Sequence, residues 1–124
     1  MGVYTEYLDQ GMDFGALVSE RKAQLQRISE LRGGRDVMVY AADLNKGNAP
    51  ISLIFDDLLP INDQLANLNG KAIDLILETP GGSEEVAEDI VRLLHDRYEE
   101  VAIIVPGWAK SAGTIIAMAG DEIL

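Results

Sequence analysis

Apolar and polar positions follow two rhythms along this chain. Phe14, Leu17, Val18, Leu25, Ile28 and Leu31 recur close to the 3.6-residue period of an α-helix. Asp13 is placed to cap that helix and Gly33-Gly34 to end it. Val37 to Ala42 is a short apolar run that reads as a strand, and Asp43 to Pro50 is a loop by composition. Asp56 or Asp57 opens a second helix through Leu68, where Pro60 is tolerated because it falls in the first turn. Ala72 to Glu78 and Val101 to Val105 are strands apolar enough to be buried on both faces. Between them Ser83 caps a helix whose inner face is Val86, Ile90, Leu93, Leu94 and Tyr98. Acids at Glu84, Glu85 and Glu88 suit its positive end. Ser111 begins a short helix, Ala112 to Ala119, and Ile123-Leu124 start one more strand.

The order is therefore α-β-α-β-α-β-α-(β). Strands separated by helices imply right-handed crossovers and a parallel α/β sheet covered on both sides. A sheet that stops two residues into an apolar strand leaves an open edge. The expectation is that residues 1–124 form the N-terminal portion of a single domain that continues past Leu124.

Composition narrows the function classes. Apolar residues make up 48% of the 124, enough for a packed core. The net charge of -11 disfavours nucleic acid and anionic membranes, whose phosphates need Lys and Arg. There is no cysteine, so disulfide and thiolate chemistry are excluded, which suits the cytoplasm. The start lacks a basic n-region and an apolar h-region, and no apolar run is long enough to span a bilayer.

Two loops carry candidate chemistry. Each follows the C-terminal end of a buried parallel strand and opens a helix, the place where open α/β sheets bind ligands. In Thr79-Pro80-Gly81-Gly82-Ser83, two glycines let the backbone bring bare N–H groups close to a ligand. In Ala109-Lys110-Ser111-Ala112-Gly113-Thr114, a serine stands among small neighbours that leave room for a carbonyl. Together they form half of an acyl-transfer site. Ser111 is the nucleophile, and the N–H groups of Gly82 and Ala112 form an oxyanion hole. Gly81 and Gly113 flank the substrate. Taken separately, a Gly-Gly pair is most often a plain turn and a serine at a helix start most often a cap.

The paired motifs, Thr79-Pro-Gly-Gly-Ser83 and Ala109-x-Ser-Ala-Gly113, resemble those of the Clp protease and signal peptide peptidase A superfamily. The serine dehydrogenase proteinase family is similar also in Gly34-Arg-Asp-Val37, Ser111-Ala-Gly-Thr114 and Asp121-Glu-Ile123. The resemblance implies a crotonase-like spiral of β and α units, assembly into homo-oligomers, and endopeptidase action on peptide or protein substrates. It implies no metal and no cofactor. It also implies a Lys or His base further from the serine than the residues left here.

No residue at hand replaces that base. His95 lies about twelve residues along a helix from Gly82, roughly 18 Å away, whereas proton transfer needs about 3 Å. Lys110 adjoins Ser111, but helix neighbours do not face each other. Lys71 is at the far end of its strand, roughly 20 Å off. The chain by itself is therefore expected not to turn over peptides. Two other readings stay open. One is a crotonase-type acyl-CoA hydratase or isomerase, with the same two-amide hole and Glu78 as the nearest carboxylate. The other is a non-catalytic assembly or binding module of the same fold.

Overall fold

The computed structural model describes residues 3–45 and 50–124, which form two compact units, Met1–Gly34 and Arg35–Leu124. Much of the expected loop from Asp43 to Pro50 thus lies outside the described residues.

The first unit holds α1 (Val3–Asp9) and α2 (Phe14–Leu31). Asp13 caps α2 as its position foretells, Oδ1 accepting from the Ala16 N–H at 2.7 Å. The α2 C-terminus closes with the Gly34 N–H donating to the Ser29 carbonyl at 2.7 Å. The phenol of Tyr7 on α1 donates to Glu20 on α2 at 2.9 Å, and Gln24 donates to the same carboxylate at 2.8 Å. Those bonds hold the Glu20 carboxyl below its ordinary range, the Gln24 bond most. The periodic apolar stripe of α2 is real, yet none of its residues is buried, and Phe14 and Leu31 are largely exposed. Helix α1 has too short an apolar pattern to be read from sequence.

The second unit carries the sheet. Strands β1 (Asp36–Ala41), β2 (Ala72–Glu78), β3 (Glu100–Ile104) and β4 (Glu122–Ile123) are all parallel, in the order β1-β2-β3-β4. A 3₁₀ turn at Phe55–Asp57 and α3 (Leu58–Ala66) connect β1 to β2. Helix α4 (Glu84–Arg97) joins β2 to β3, and α5 (Ala112–Met118) joins β3 to β4. Each parallel step needs such a crossover, so one strand-helix unit follows another.

The core lies between the two central strands and α3, α4 and α5. It contains Ile73, Leu75, Leu77, Val101 and Ile103 from the strands, and Val86, Ile90 and Leu94 from α4. Each such side chain contributes about 1.5–3 kcal/mol on burial. Strand β1 departs from the expectation of two covered faces. It is an edge strand, as is β4, and its Val39 is 40% exposed.

Strand β2 also holds a buried charge within its apolar run. Asp74 is fully buried, and Arg35 Nε meets its Oδ1 at 2.7 Å. The same guanidinium reaches Glu100 at 2.8 Å and the Ile73 carbonyl at 3.2 Å, tying β2 to β3. Two tyrosines close the rim. Tyr98 donates to Asp36 at 2.8 Å and Tyr40 to Asp57 at 3.0 Å. Burial pushes both phenols well up from their ordinary value, and the carboxylate partners push in the same direction.

Candidate active site

The two motif loops leave the C-terminal ends of β2 and β3 side by side. After a short gap the strand pairing resumes between them. The Thr79 N–H donates to the Trp108 carbonyl at 2.8 Å, and the Lys110 N–H donates to the Thr79 carbonyl at 3.1 Å. On its other side the glycine loop is laced to Leu53. The Leu53 N–H donates to the Gly81 carbonyl at 2.8 Å, and the Ser83 N–H to the Leu53 carbonyl at 3.0 Å. Leu53 is a support that the sequence reading missed; the alternation of Ile51 and Leu53 was its only trace.

The glycines are there because nothing larger fits. A β-carbon on Gly81, at φ 106°, would lie 2.6 Å from Ser111 Cβ and 2.7 Å from the Lys110 carbonyl oxygen. One on Gly82, at φ 147°, would run into the Leu53 backbone. Both conformations also belong to glycine rather than to L-residues. The Gly81 turn therefore sits directly behind the serine, 3.2 Å from the Ala112 nitrogen measured from that same β-carbon position.

The backbone donors divide into spent and unspent. Thr79 is fully buried, and its Oγ1 accepts the Gly81 N–H at 3.1 Å. The Gly113 N–H goes to the Lys110 carbonyl at 2.9 Å and the Thr114 N–H to the Ser111 carbonyl at 2.9 Å. Among the described residues, the N–H groups of Gly82 and Ala112 find no acceptor. These are the two groups that the sequence singles out as anion donors.

Ser111 itself has φ 52° and ψ -122°, and it is the one non-glycine among the described residues with positive φ. It heads α5 but does not cap it: its side chain accepts no helix N–H. The commonest alternative role for a serine at this position is thereby removed. Its residue is exposed, while Ala112 and Gly113 behind it are buried. Ser111 is thus strained, exposed and free of a capping role between β3 and α5.

The three residues set aside as bases are occupied or remote. His95 Nε2–H donates to the Ala119 carbonyl at 2.7 Å, at the opposite end of α5 from Ser111. Lys110 Nζ lies 3.7 Å from the Trp108 ring centroid, a cation–π contact. Lys71 precedes β2 at the other edge of the sheet, where its carbonyl accepts from Glu99. Among the described residues no group of three or more His, Asp or Glu side chains is arranged to hold a metal ion.

Two clefts bear on the site. One, of about 420 Å³, opens at the same sheet edge and is lined by Ala42, Asp43, Leu44, Asn45, Glu78 and Trp108. A wider groove of about 860 Å³ runs between α3 and α4, past Phe55, Leu59 and Leu93. It contains neither motif loop and no candidate nucleophile.

A family model described as ClpP-like SDH-type serine proteinase matches residues 57–124, the stretch that carries both loops. Two uncharacterized proteins of Methanocaldococcus jannaschii are similar, one 46% identical over 54 residues and the other 42% over 52. Those matches cover 44% and 42% of this chain but only 19% and 18% of the relatives. Among solved structures, a ClpP1 mutant from Listeria monocytogenes superposes with a TM-score of 0.57 at 17% identity. It covers 75% of this chain and 51% of that one. The ClpP protease catalytic domain from Plasmodium falciparum gives 0.53 at 14% identity, over 80% and 58%. At such identities the likeness shows the fold, and the chain spans about half the length of these structures.

Proposed function

The chain belongs to the ClpP-like SDH-type serine proteinase family, and from that premise we propose that residues 1–124 are the front part of one serine endopeptidase domain. In this reading Ser111 attacks the scissile carbonyl of a peptide or protein substrate. The N–H groups of Gly82 and Ala112 receive the oxyanion as the tetrahedral intermediate forms. Gly81 and Gly113 leave room for the substrate backbone. The proton acceptor comes from outside the described residues, since His95, Lys110 and Lys71 are committed or distant.

The observation that carries the reading is the backbone of Ser111. An L-residue held at φ 52° and ψ -122° costs of order 1–3 kcal/mol. Capping does not offset that cost, because the side chain caps nothing. Presenting a hydroxyl to a substrate beside two unspent N–H groups does account for it. The crotonase-type reading keeps the amide pair but gives Ser111 no task, so the serine geometry favours the peptidase.

The test is covalent labelling. A fluorophosphonate probe should modify the full-length protein at a single residue, identified as Ser111 by mass spectrometry. Labelling at another residue, or none while the protein hydrolyses peptides, would sink the assignment.

The proposal extends to homo-oligomeric assembly in the cytoplasm. No helix among the described residues is long and apolar enough to cross a membrane. The α3 side exposes Phe55 (74%) and Leu59 (68%), apolar surface that a second copy would cover. Light scattering at micromolar concentration should give a mass above 13.5 kDa for this chain; a clean monomer would refute assembly through this part.

A further inference from the structure

The cleft beside the serine loop has a chemistry of its own. Its polar walls are Asp43, where the chain leaves β1, and Glu78, the last residue of β2; its aromatic wall is Trp108, after β3. All three come from the C-terminal edge of the sheet, the edge that carries Ser111. Trp108 precedes Ser111 by three residues, a span of at most about 11 Å. A substrate bound at Ser111 would therefore have neighbouring side chains within reach of this cleft.

The walls are chemically incomplete. Glu78 is only partly exposed, and its side chain lies against Gly107. Its carboxylate nevertheless takes no hydrogen bond and no ion pair among the described residues. No buried side-chain oxygen among the described residues lacks a partner, so the unpaired Glu78 oxygens are open to solvent and to a cation. Among the described residues Asp43 accepts only the Asn45 N–H, at 3.1 Å. Lys110 is held over the Trp108 ring and is not among the described residues that line the cleft. Indole is also the aromatic surface that best receives a cation.

We propose that the cleft walled by Asp43, Glu78 and Trp108 is a specificity pocket that takes a Lys or Arg side chain of the substrate polypeptide. The inference rests on the peptidase reading for its substrate class. The guanidinium or ammonium would pair with Glu78 first and Asp43 second, its stem lying along the indole. The net charge of -11 would draw basic segments toward the molecule from a distance.

Trp108 is the sole tryptophan, so its emission reads the cleft directly without any turnover. The experiment titrates the full chain with blocked pentapeptides Ala-Ala-X-Ala-Ala, where X is Arg, Met or Glu. The Arg peptide should change the emission saturably and bind about tenfold or more tighter than the Met peptide, with the Glu peptide weakest. Glu78→Gln should reduce the Arg peptide to the affinity of the Met peptide and leave the Met peptide unchanged. Asp43→Asn, a surface change that spares the fold, should weaken the Arg peptide in the same direction by less. Equal affinities for Arg and Met, absence of any saturable change, or a Glu78→Gln variant that keeps the Arg preference would overturn the proposal. Fluorophosphonate labelling of Ser111 in the full-length protein, where the base is expected, separates the two readings. Arg preference without labelling keeps the pocket and removes the peptidase, whereas labelling without Arg preference removes the pocket alone.

Discussion

Ser111→Gly is expected to abolish fluorophosphonate labelling and to make the chain more stable. Loss of the hydroxyl removes the attacking atom, and loss of a serine nucleophile in such sites costs on the order of 10⁴-fold or more in turnover. The gain in stability comes from the backbone. At φ 52° and ψ -122° an L-side chain is strained, and glycine is not. Against a relief of about 1–3 kcal/mol stands the greater freedom of glycine in the unfolded chain, about 0.4–1 kcal/mol. A net gain of about 0.5–2 kcal/mol should raise the melting temperature by several degrees. Ser111→Ala is the control. It removes the hydroxyl but keeps the strain, so it should lose labelling without the rise in stability. If glycine proves no more stable than alanine at this position, the serine backbone holds no strain, and the observation behind the proposed function falls.

Arg35→Leu is expected to give the largest loss of stability of any single substitution considered for this chain. The reason lies in Asp74, fully buried on β2 with Arg35 Nε at 2.7 Å. Removing the guanidinium leaves a carboxylate in the core of the sheet without its principal partner. Breaking one side of a buried pair typically costs about 3–5 kcal/mol. The bonds to Glu100 and to the Ile73 carbonyl disappear with it. For a unit of this size the melting temperature should fall by about 12 °C or more. The double variant Arg35→Leu/Asp74→Leu should recover most of that loss, because an apolar pair needs no compensation in the strand interior. A single variant within about 1 kcal/mol of the parent would show that the pair contributes little.

The element pattern was legible because local chemistry specifies it. Ala72 to Glu78 is apolar over a strand length and is bounded by Asn69-Gly70 and Pro80-Gly81-Gly82, so strand and turns are readable residue by residue. Asp13 and Ser83 cap the helices that their positions foretell, since a cap is a contact across three residues. The same holds for the order of strands and helices, from which a parallel α/β sheet follows. The expected kinship with Clp-type serine proteinases is borne out at the level of family and fold.

What tertiary structure alone decided depends on groups far apart in sequence. The Arg35–Asp74 pair joins residues 39 apart, so within its strand Asp74 reads merely as one polar residue in an apolar run. Leu53 became a support of the glycine loop through pairing with Gly82 across the intervening chain. The apolar stripe of α2 gives a helix from sequence, but burial of that stripe depends on a partner surface, and none of its residues is buried here. The same reason governs Ser111. Taken alone, a serine at a helix start points first to a cap. What removes the cap is its backbone and its surroundings: the side chain accepts no helix N–H, and Gly81 from the neighbouring strand's loop lies so close that a β-carbon there would stand 2.6 Å from Ser111 Cβ, a contact that no window of adjacent residues contains.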